Sequence, residues 1–337
     1  KGNTVTSIIN ETPEEIINSS MVASKTAKVK DWDQRTYDIT INATSTSTST
    51  ITQTKTPIAD IMLVLDVSGS MGDPIKPYSY NKVADNTKDG RSKLSRNSTY
   101  YIYVDGSYKT MQYSDIYGWL VDNGRGWSYA SDSKYNNCVI YTRTTRLDAL
   151  KTAVNQFIDD TSKKSPNSKI GITVFSSSGY GDHGDSVSLG IVGGEDSTKV
   201  SELKTFVNGL EANGGTDPSV GLLDAKNKLD AVDDKNPKYV VLFTDGKPTG
   251  GGSEWNTTAQ QDAEKQANEL RTGNRGKAEK KKDPYTVYTI GFALNDEGDR
   301  AKIFLSGGEY NGKKYPGIAS SSECAKTADD AASLTQI

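Results

Sequence analysis

Hydrophobic residues follow two alternating patterns through most of the chain. Short, almost uninterrupted apolar stretches are typical of β-strands buried on both faces of a sheet, and they lie at 58–65, 169–175, 239–243 and 285–292. Other apolar residues recur at the three- and four-residue spacing of one helix face, at 147–158, 200–210, 220–229, 258–270 and 325–334. Strands that alternate with helices predict an α/β fold, with a doubly wound, mainly parallel central sheet and helices on both faces. A weaker alternating stretch at 186–191 predicts an antiparallel edge strand.

A long segment interrupts this alternation after the first apolar stretch. Loops between a strand and the next helix usually have about 2–6 residues, yet the first clear helix begins only near Thr145. Residues 73–144 are therefore predicted to be a β-rich insertion, in which Asp105-Gly106 is typical of a hairpin turn. The insertion holds 11 of the 18 tyrosines. We expect about half of its aromatic residues to pack its own small core and the others to form an arm that contacts a partner.

The first 56 residues have a different pattern. Tyr37, Ile39 and Ile41 alternate with polar residues, which predicts a β-strand, and a short helix is predicted at 12–18. The Ser/Thr stretch at 44–50 is either a continuation of the strand or a linker, and we favour a strand because Thr is β-branched. One or two strands do not form a sheet domain alone. Residues 1–56 are therefore predicted to be part of a β-domain, and residues 57–337 to be the α/β domain.

Composition excludes several functional classes. With 40 basic and 43 acidic residues the net charge is −3, so the basic field of a nucleic-acid-binding protein is absent. No stretch approaches the roughly 20 apolar residues of a membrane span, so direct membrane insertion is not expected, and KGNTVTSIIN does not have the pattern of a signal peptide. Two cysteines and one histidine are too few for a structural zinc site. That histidine, His183, lies in a Gly-rich loop and is expected to be solvated, and no nucleophile motif indicates an enzyme.

Oxygen-bearing side chains follow several of the predicted strands. Asp66, Ser68 and Ser70 follow the first buried strand, and Asp245 follows the strand at 239–243. Thr216 lies in a Gly-flanked loop before a helix. Ligands of open α/β sheets bind at the carboxyl ends of the strands, and carboxylate and hydroxyl oxygens suit a hard divalent cation. With so few carboxylates, the metal would remain electron-poor, and an acidic group from a partner would complete its coordination.

The alternative is that these residues form ordinary polar turns and helix caps. Asp217 precedes Pro218 as a helix N-cap would, and Asp73-Pro74 is typical of a turn. Both are therefore left out of the candidate site.

The segments DVSGSMG, GGTD and FTDG, in this order and on this pattern, resemble the von Willebrand factor A (vWA) domain, whose fold is Rossmann-like. The resemblance covers residues 57–337 apart from the insertion. It implies a metal-ion-dependent adhesion site in which Asp66, Ser68, Ser70, Thr216 and Asp245 hold Mg²⁺, with Mn²⁺ or Ca²⁺ as alternatives and Asp245 acting directly or through water. A domain that keeps this motif without using the metal is the second alternative.

The N-terminal segment resembles the strand that precedes the vWA domain in Gram-positive surface and pilus-tip adhesins, next to a Cna-B-like β-domain. Such β-domains often carry a Lys–Asn isopeptide crosslink. The resemblance implies Lys25 as its lysine, ahead of Lys28 and Lys30, and the alternative is an exposed strand lysine.

The two cysteines, Cys138 and Cys324, are expected at the same strand-end face. Cys138 ends the insertion and Cys324 begins the last predicted helix. A Cys138–Cys324 disulfide is the hypothesis, consistent with an oxidising exterior, and two buried free thiols are the alternative.

Together these features predict an extracellular, non-enzymatic adhesin domain of a bacterial cell surface, in the cell wall or at a pilus tip. Its expected partners are a host extracellular-matrix protein, or another surface ligand that offers a carboxylate, and other pilus or surface-protein domains. The metal site and the aromatic arm would bind the ligand. The alternative function is a structural or assembly module of a surface stalk or pilus, in which the metal only stabilises the fold.

Overall fold

The structure is a computed structural model, which describes residues 14–31, 36–52, 57–177, 186–193, 198–275, 282–294 and 298–336. The chain divides into two compact units, Lys1–Pro57 and Ile58–Ile337. Strands are β1 Glu14–Asp31, β2 Thr36–Thr52, β3 Asp60–Asp66, β4 Tyr80–Asp85, β5 Tyr100–Val104, β6 Ser107–Ser114, β7 Gly118–Asp122, β8 Trp127–Tyr129, β9 Val139–Arg143, β10 Lys169–Phe175, β11 Ser186–Ile191, β12 Lys238–Thr244, β13 Thr286–Phe292, β14 Gly308–Tyr310, β15 Lys313–Tyr315 and β16 Ala325–Ala328. Helices are α1 Lys88–Ser92, α2 Arg146–Lys164, α3 Thr198–Asn208, α4 Pro218–Asp230, α5 Thr257–Thr272, α6 Gly298–Ser306 and α7 Ala331–Gln336, and 3₁₀ turns occupy Gly69–Gly72, Ser133–Tyr135 and Ser322–Cys324.

The first unit contains a two-stranded antiparallel sheet. Strands β1 and β2 pair over almost their whole length, from Glu14 opposite Thr52 to Asp31 opposite Thr36. The prediction that the Ser/Thr stretch continues a strand is therefore confirmed. The helix predicted at 12–18 is wrong, because the chain from Glu14 onward pairs with β2, and pairing overrides a weak local helical spacing. Lys25 lies opposite Ile41, but its side chain is outside the described part of the chain, so the isopeptide bond stays a prediction.

The second unit is built on a six-stranded sheet with the order β11-β10-β3-β12-β13-β16. All neighbouring strands are parallel except β11, which pairs antiparallel with β10 at the edge. The predicted doubly wound α/β fold and its antiparallel edge strand are thus confirmed. Strand order reverses between β3 and β12, and ligands of such sheets bind at this switch point.

Successive side chains of β3 face opposite sides of the sheet, and each side packs against its own layer of helices. Leu63 and Leu65 belong to the core on the side of α2, α3 and α7, whereas Met62 and Val64 belong to the core on the side of α4, α5 and α6. A strand buried on both faces needs such a continuous apolar sequence. Among the residues described, none of the helices has the length and apolar character that a membrane span needs.

The C-terminal segment corrects one predicted element. The helix expected at 325–334 is two elements, because Ala325–Ala328 pairs with Thr289–Phe292 as an edge strand. Only α7 is helical, and Asp330 caps its start by accepting a hydrogen bond from the backbone N–H of Ser333 at 2.7 Å. The sequence Ala-Lys-Thr-Ala at 325–328 is compatible with a helix or a strand. It forms a strand because it pairs with the free edge of β13.

The insertion forms a second six-stranded sheet, with the order β4-β9-β5-β6-β7-β8 and antiparallel pairing throughout. Asp105 and Gly106 both have positive φ, 51° and 75°, as the tight turn between β5 and β6 requires. One face of the sheet has its own core, made of Tyr100, Ile102, Met111, Val121, Ala130, Tyr135 and Ile140.

The two ends of the insertion lie side by side at the central domain. The backbone N–H of Arg146 donates to the carbonyl of Asp73 at 3.0 Å. Close by, the N–H of Ile75 donates to the carbonyl of Thr144 at 3.1 Å, and that of Thr144 to the carbonyl of Ser79 at 3.0 Å. The chain therefore leaves and re-enters the α/β fold at adjacent positions.

The structure corrects the predicted disulfide, because both cysteines are free thiols in it. Cys138 lies in the insertion, where its Sγ donates to the carbonyl of Lys134 at 3.8 Å. Cys324 precedes β16, which begins beside Thr289 and runs toward the carboxyl edge of the sheet. The prediction placed Cys324 at the carboxyl edge because it assumed a helix there. A strand follows Cys324 instead. Cys324 therefore lies at the start of β16 and not at the carboxyl edge of the sheet.

Candidate metal site

Three chain segments meet at the switch point between β3 and β12. The turn Gly69–Gly72 follows β3, Asp245 follows β12, and the loop that leads to α4 packs against both. Backbone hydrogen bonds fix this arrangement: the N–H of Gly69 donates to the carbonyl of Gly214 at 2.9 Å, and that of Asn213 to the carbonyl of Val67 at 2.8 Å. The three predicted motif pieces are thus brought together.

Asp66 forms the buried base of the site. Its side chain is fully inaccessible; Oδ1 accepts from the N–H of Ser68 at 2.9 Å and Oδ2 from the hydroxyl of Thr244 at 2.6 Å. Its pKa is raised to about 7, mainly because burial disfavours the charged form and also because the Asp245 charge lies nearby, while the hydrogen bonds from Ser68 and Thr244 oppose the shift. A nearby cation would return this carboxyl to its charged form.

Three of the other predicted ligands line an open cleft of about 370 Å³. Ser70, Thr216 and Asp245 line it, and the Oγ atom of Ser68, which is almost fully buried, lies 3.2 Å from the Oγ atom of Ser70. Asp66 and Ser68 lie behind this lining, so the five residues form one group of oxygen donors, three of which reach the open cleft.

The loop that carries Thr216 is held tightly. The N–H of Thr216 donates to the hydroxyl of Thr249 at 2.9 Å, and the N–H of Gly215 to the hydroxyl of Ser177 at 2.6 Å. Gly214 has φ +77°, and a Cβ at this position would lie 2.7 Å from the Oγ atom of Ser177, so only glycine fits. Asp217 caps α4 as predicted, accepting from the N–H of Ser219 at 3.1 Å.

One cation of the protein itself lies within the site. The Nη1 atom of Arg146 is 2.6 Å from Oδ2 of Asp245 and 3.4 Å from the carbonyl oxygen of Ser70. Both side chains are mostly buried, with 15% of Arg146 and 3% of Asp245 exposed. This ion pair joins the first residue of α2 to the end of β12.

Sequence reasoning missed Arg146 and Thr244. Thr244 directly precedes Asp245 at the end of a strand, so its place at the site could have been inferred from the motif alone. Arg146 is the first residue of the helix that follows β3, and in a doubly wound fold that helix N-terminus faces the ligand edge. The intervening insertion separated it from the motif.

The donor set fits a hard divalent cation such as Mg²⁺. Two carboxylates and three hydroxyls offer only oxygen, and three of these five side chains line one cleft. Nowhere in the described segments do three or more His, Cys, Asp or Glu side chains form a group that could hold a metal. His183 lies outside the described residues.

A family model described as the von Willebrand factor type A domain matches residues 141–337, which is more than half of the chain. Thr216 and Asp245 lie within the matched range, whereas Asp66, Ser68 and Ser70 precede the insertion and fall outside it. No curated protein sequence matches the chain.

Several solved structures are similar to the chain. The pilus adhesin SpaC from Lactobacillus rhamnosus GG is 18% identical, with a TM-score of 0.49, over 94% of this chain and 33% of SpaC. The minor pilin PilB from Streptococcus sanguinis is 13% identical, with a TM-score of 0.42, over 95% of this chain and 76% of PilB. The vWF domain of the type V pili tip protein Mfa5 from Porphyromonas gingivalis is 12% identical, with a TM-score of 0.40, over 84% of this chain and 94% of that domain. The chain thus spans about a third of the SpaC structure.

Proposed function

This chain belongs to the von Willebrand factor type A domain family, and from that premise we propose that it is an adhesion domain that binds its partner through a divalent cation. The observation that carries the proposal is that Ser70, Thr216 and Asp245 line one open cleft at the switch point of the sheet. Asp66 and Ser68 lie behind this lining, joined to it by hydrogen bonds. We propose a non-enzymatic role, in which the cleft binds a ligand without breaking a bond.

The five residues would hold Mg²⁺, or Mn²⁺ or Ca²⁺ in its place. When bound, the cation supplies a Lewis-acidic contact for an oxygen of the partner. Asp66 would contribute negative charge from the buried side of the site. The hydrogen bonds from Ser68 and Thr244 fix the position of its carboxylate. Because most donors are neutral hydroxyls, the cation keeps a strong attraction for a carboxylate, and an acidic side chain of the partner is the proposed ligand.

The outer face of the insertion would supply a second contact. It carries a cluster of tyrosines, in which the rings of Tyr80 and Tyr108 stack at 3.5 Å and Tyr103 packs against Tyr108 at 4.9 Å. The guanidinium of Arg143 lies 3.5 Å from the ring centre of Tyr78. Tyr78, Tyr103 and Tyr108 are 41%, 49% and 37% exposed. Large, rigid aromatic surfaces are typical of binding sites, so we propose that this arm determines which partner is recognised.

We further propose that the domain acts outside the cell, at a bacterial surface, in the cell wall or at a pilus tip. Family membership and the open metal cleft support a role in adhesion. A host extracellular-matrix protein, or another surface ligand with an accessible carboxylate, is the proposed partner, and other pilus or surface-protein domains would be its neighbours.

Calorimetric titration of Mg²⁺ into EDTA-treated protein tests the metal site. We expect the unmodified protein to bind one Mg²⁺ per chain, and Thr216→Val to bind it at least about tenfold more weakly, because valine keeps the shape of threonine but removes the hydroxyl. Thr258→Val, at an exposed position of α5, is the matched control and should bind like the unmodified protein. Equal binding by Thr216→Val would contradict the proposed ligand set.

Adhesion itself is tested by binding to immobilised matrix proteins in Mg²⁺ or in EDTA. Binding that requires Mg²⁺ and is lost in Thr216→Val supports the adhesin. A chelator that lowers the melting temperature without changing adhesion would favour the structural module instead.

A further inference from the structure

Arg146 lies within the candidate metal site but is not one of the proposed metal ligands. Its guanidinium contacts two of the five candidate ligand residues, Asp245 through Oδ2 at 2.6 Å and Ser70 through its carbonyl at 3.4 Å. Arginine remains positively charged at any pH at which the protein is folded. A divalent cation bound by the same residues would therefore lie next to a fixed like charge.

Apart from Asp245, the charged side chains that line the cleft form no described ion pair with Arg146. The other cationic side chain that lines it, Lys247, lies 3.7 Å from Glu254. Among the described ion pairs, Arg146 is joined to Asp245 alone. In this arrangement the guanidinium neutralises the Asp245 carboxylate, so that a divalent cation must displace the guanidinium before it can use this oxygen donor.

The position of Arg146 is also incompletely hydrogen-bonded. Its Nε atom is buried without a hydrogen-bond partner, and an unsatisfied buried donor is unfavourable. The contact with Asp245 therefore holds the guanidinium where one of its donors has no acceptor. A competing cation that displaces the guanidinium, or a new acceptor that reaches Nε, would remove this unfavourable feature. Its backbone, by contrast, is fixed at the root of the insertion by the hydrogen bond to Asp73, so only the side chain needs to move.

We propose that Arg146 is a tethered counter-ion, which competes with the divalent cation for Asp245, so that a carboxylate from the partner raises the affinity of the site for the cation. This inference rests on the proposed metal site. Without a partner, the guanidinium neutralises Asp245 and lowers the affinity for the cation. A carboxylate that enters the cleft gives the guanidinium another anion to contact and frees Asp245 for the cation, so that cation and acidic partner bind cooperatively.

Calorimetric Mg²⁺ titration of the unmodified chain, Arg146→Met and Arg146→Gln tests the competition. Removing one positive charge a few ångströms from the cation should tighten Mg²⁺ binding about tenfold in both variants. Glutamine retains a hydrogen-bond donor for Asp245 without the charge, so it separates charge from packing if Arg146→Met folds poorly. Arg125→Met, in the exposed turn between β7 and β8, is the matched control and should leave the affinity unchanged.

The same titrations in sodium acetate and in sodium chloride of equal ionic strength test the coupling, with acetate as the probe for a carboxylate. Acetate should tighten Mg²⁺ binding to the unmodified chain more than to either Arg146 variant. Unchanged or weaker Mg²⁺ binding by both variants, or an equal effect of acetate on all proteins, would overturn the role of Arg146 while leaving the metal site intact. Absence of Mg²⁺ binding in the unmodified chain and in both variants would instead overturn the metal site, and this inference with it.

Discussion

Charged residues join the amino-terminal ends of three central strands, at the opposite edge of the sheet from the cleft. Asp60, the first residue of β3, is fully buried and accepts a hydrogen bond from Lys238 at 3.1 Å. Asp234 accepts from Lys238 at 3.0 Å and from Lys169 at 2.5 Å. Because β3, β10 and β12 are neighbours, this network ties the start of each strand to the others. A buried carboxylate such as Asp60 is tolerated only with partners of this kind.

The pKa of Asp234 gives this network a predictable pH dependence. Burial raises that pKa, but the hydrogen bonds from Lys169 and Lys238 outweigh it and the pKa lies well below its usual value. The stabilisation is therefore fully present above the unfolded pKa of about 3.9, and it is lost as the pH falls through the folded pKa. In urea unfolding, Asp234→Asn should be less stable than the unmodified protein at pH 7, and the difference should shrink below about pH 4. Asp233→Asn, at the exposed neighbouring position, should show no such convergence, and a pH-independent difference for Asp234→Asn would contradict the prediction.

Individual ligand residues were predictable where they directly follow a strand. Asp66 and Asp245 could be placed because the carboxyl ends of parallel strands share one edge. Arg146 could not be paired with Asp245, because nothing in the sequence shows how an insertion returns to the fold. Cys324 was misplaced because its location depended on whether a strand or a helix follows it.

At the level of elements, α4 packs against the sheet at an unusually close distance. A Cβ at Gly221 would lie 2.6 Å from Cγ1 of Val64 and 3.0 Å from Cδ1 of Phe175. Helix α4 begins immediately after Thr216 and Asp217, so this close packing positions the loop that supplies a candidate ligand.

Gly221→Ala tests that packing. Alanine favours a helix by about 1 kcal/mol over glycine, but overpacking against Val64 and Phe175 costs about 1–3 kcal/mol. We expect a net loss of stability in chemical denaturation and weaker Mg²⁺ binding through displacement of Thr216. Asn227→Ala, an exposed position of the same helix, has the gain in propensity without the clash and should be neutral or stabilising. A Gly221→Ala protein more stable than the unmodified one would contradict the prediction, because it would show that α4 can move away from the sheet without a loss of stability.

The central strands were predictable because each is buried on both faces, which leaves a continuous apolar signature. Helix α2 was equally clear, since Thr145 forms a capping box with Asp148 at 3.1 and 2.9 Å. The edge strand β16 was not, because Ala325–Ala328 has little apolar sequence and its structure is decided by the neighbour that it pairs with.

For the whole molecule, the division into two units has a direct consequence for stability. The three described hydrophobic cores lie entirely within Ile58–Ile337. A protein comprising these residues alone should therefore fold, melt in one cooperative transition and bind Mg²⁺. Differential scanning calorimetry and the Mg²⁺ titration check this. A protein that shows no cooperative melting transition would contradict the prediction.

The side-by-side ends of the insertion also affect how such a domain can evolve. A segment that leaves and re-enters the fold at Asp73 and Arg146 spans almost no distance, and the entropy of closing a loop grows only slowly with its length. The segment between these two positions can therefore be lengthened, shortened or exchanged as a cassette while the scaffold around it stays the same. A lineage that retained the cation-binding loops could acquire new partners by replacing this one sheet.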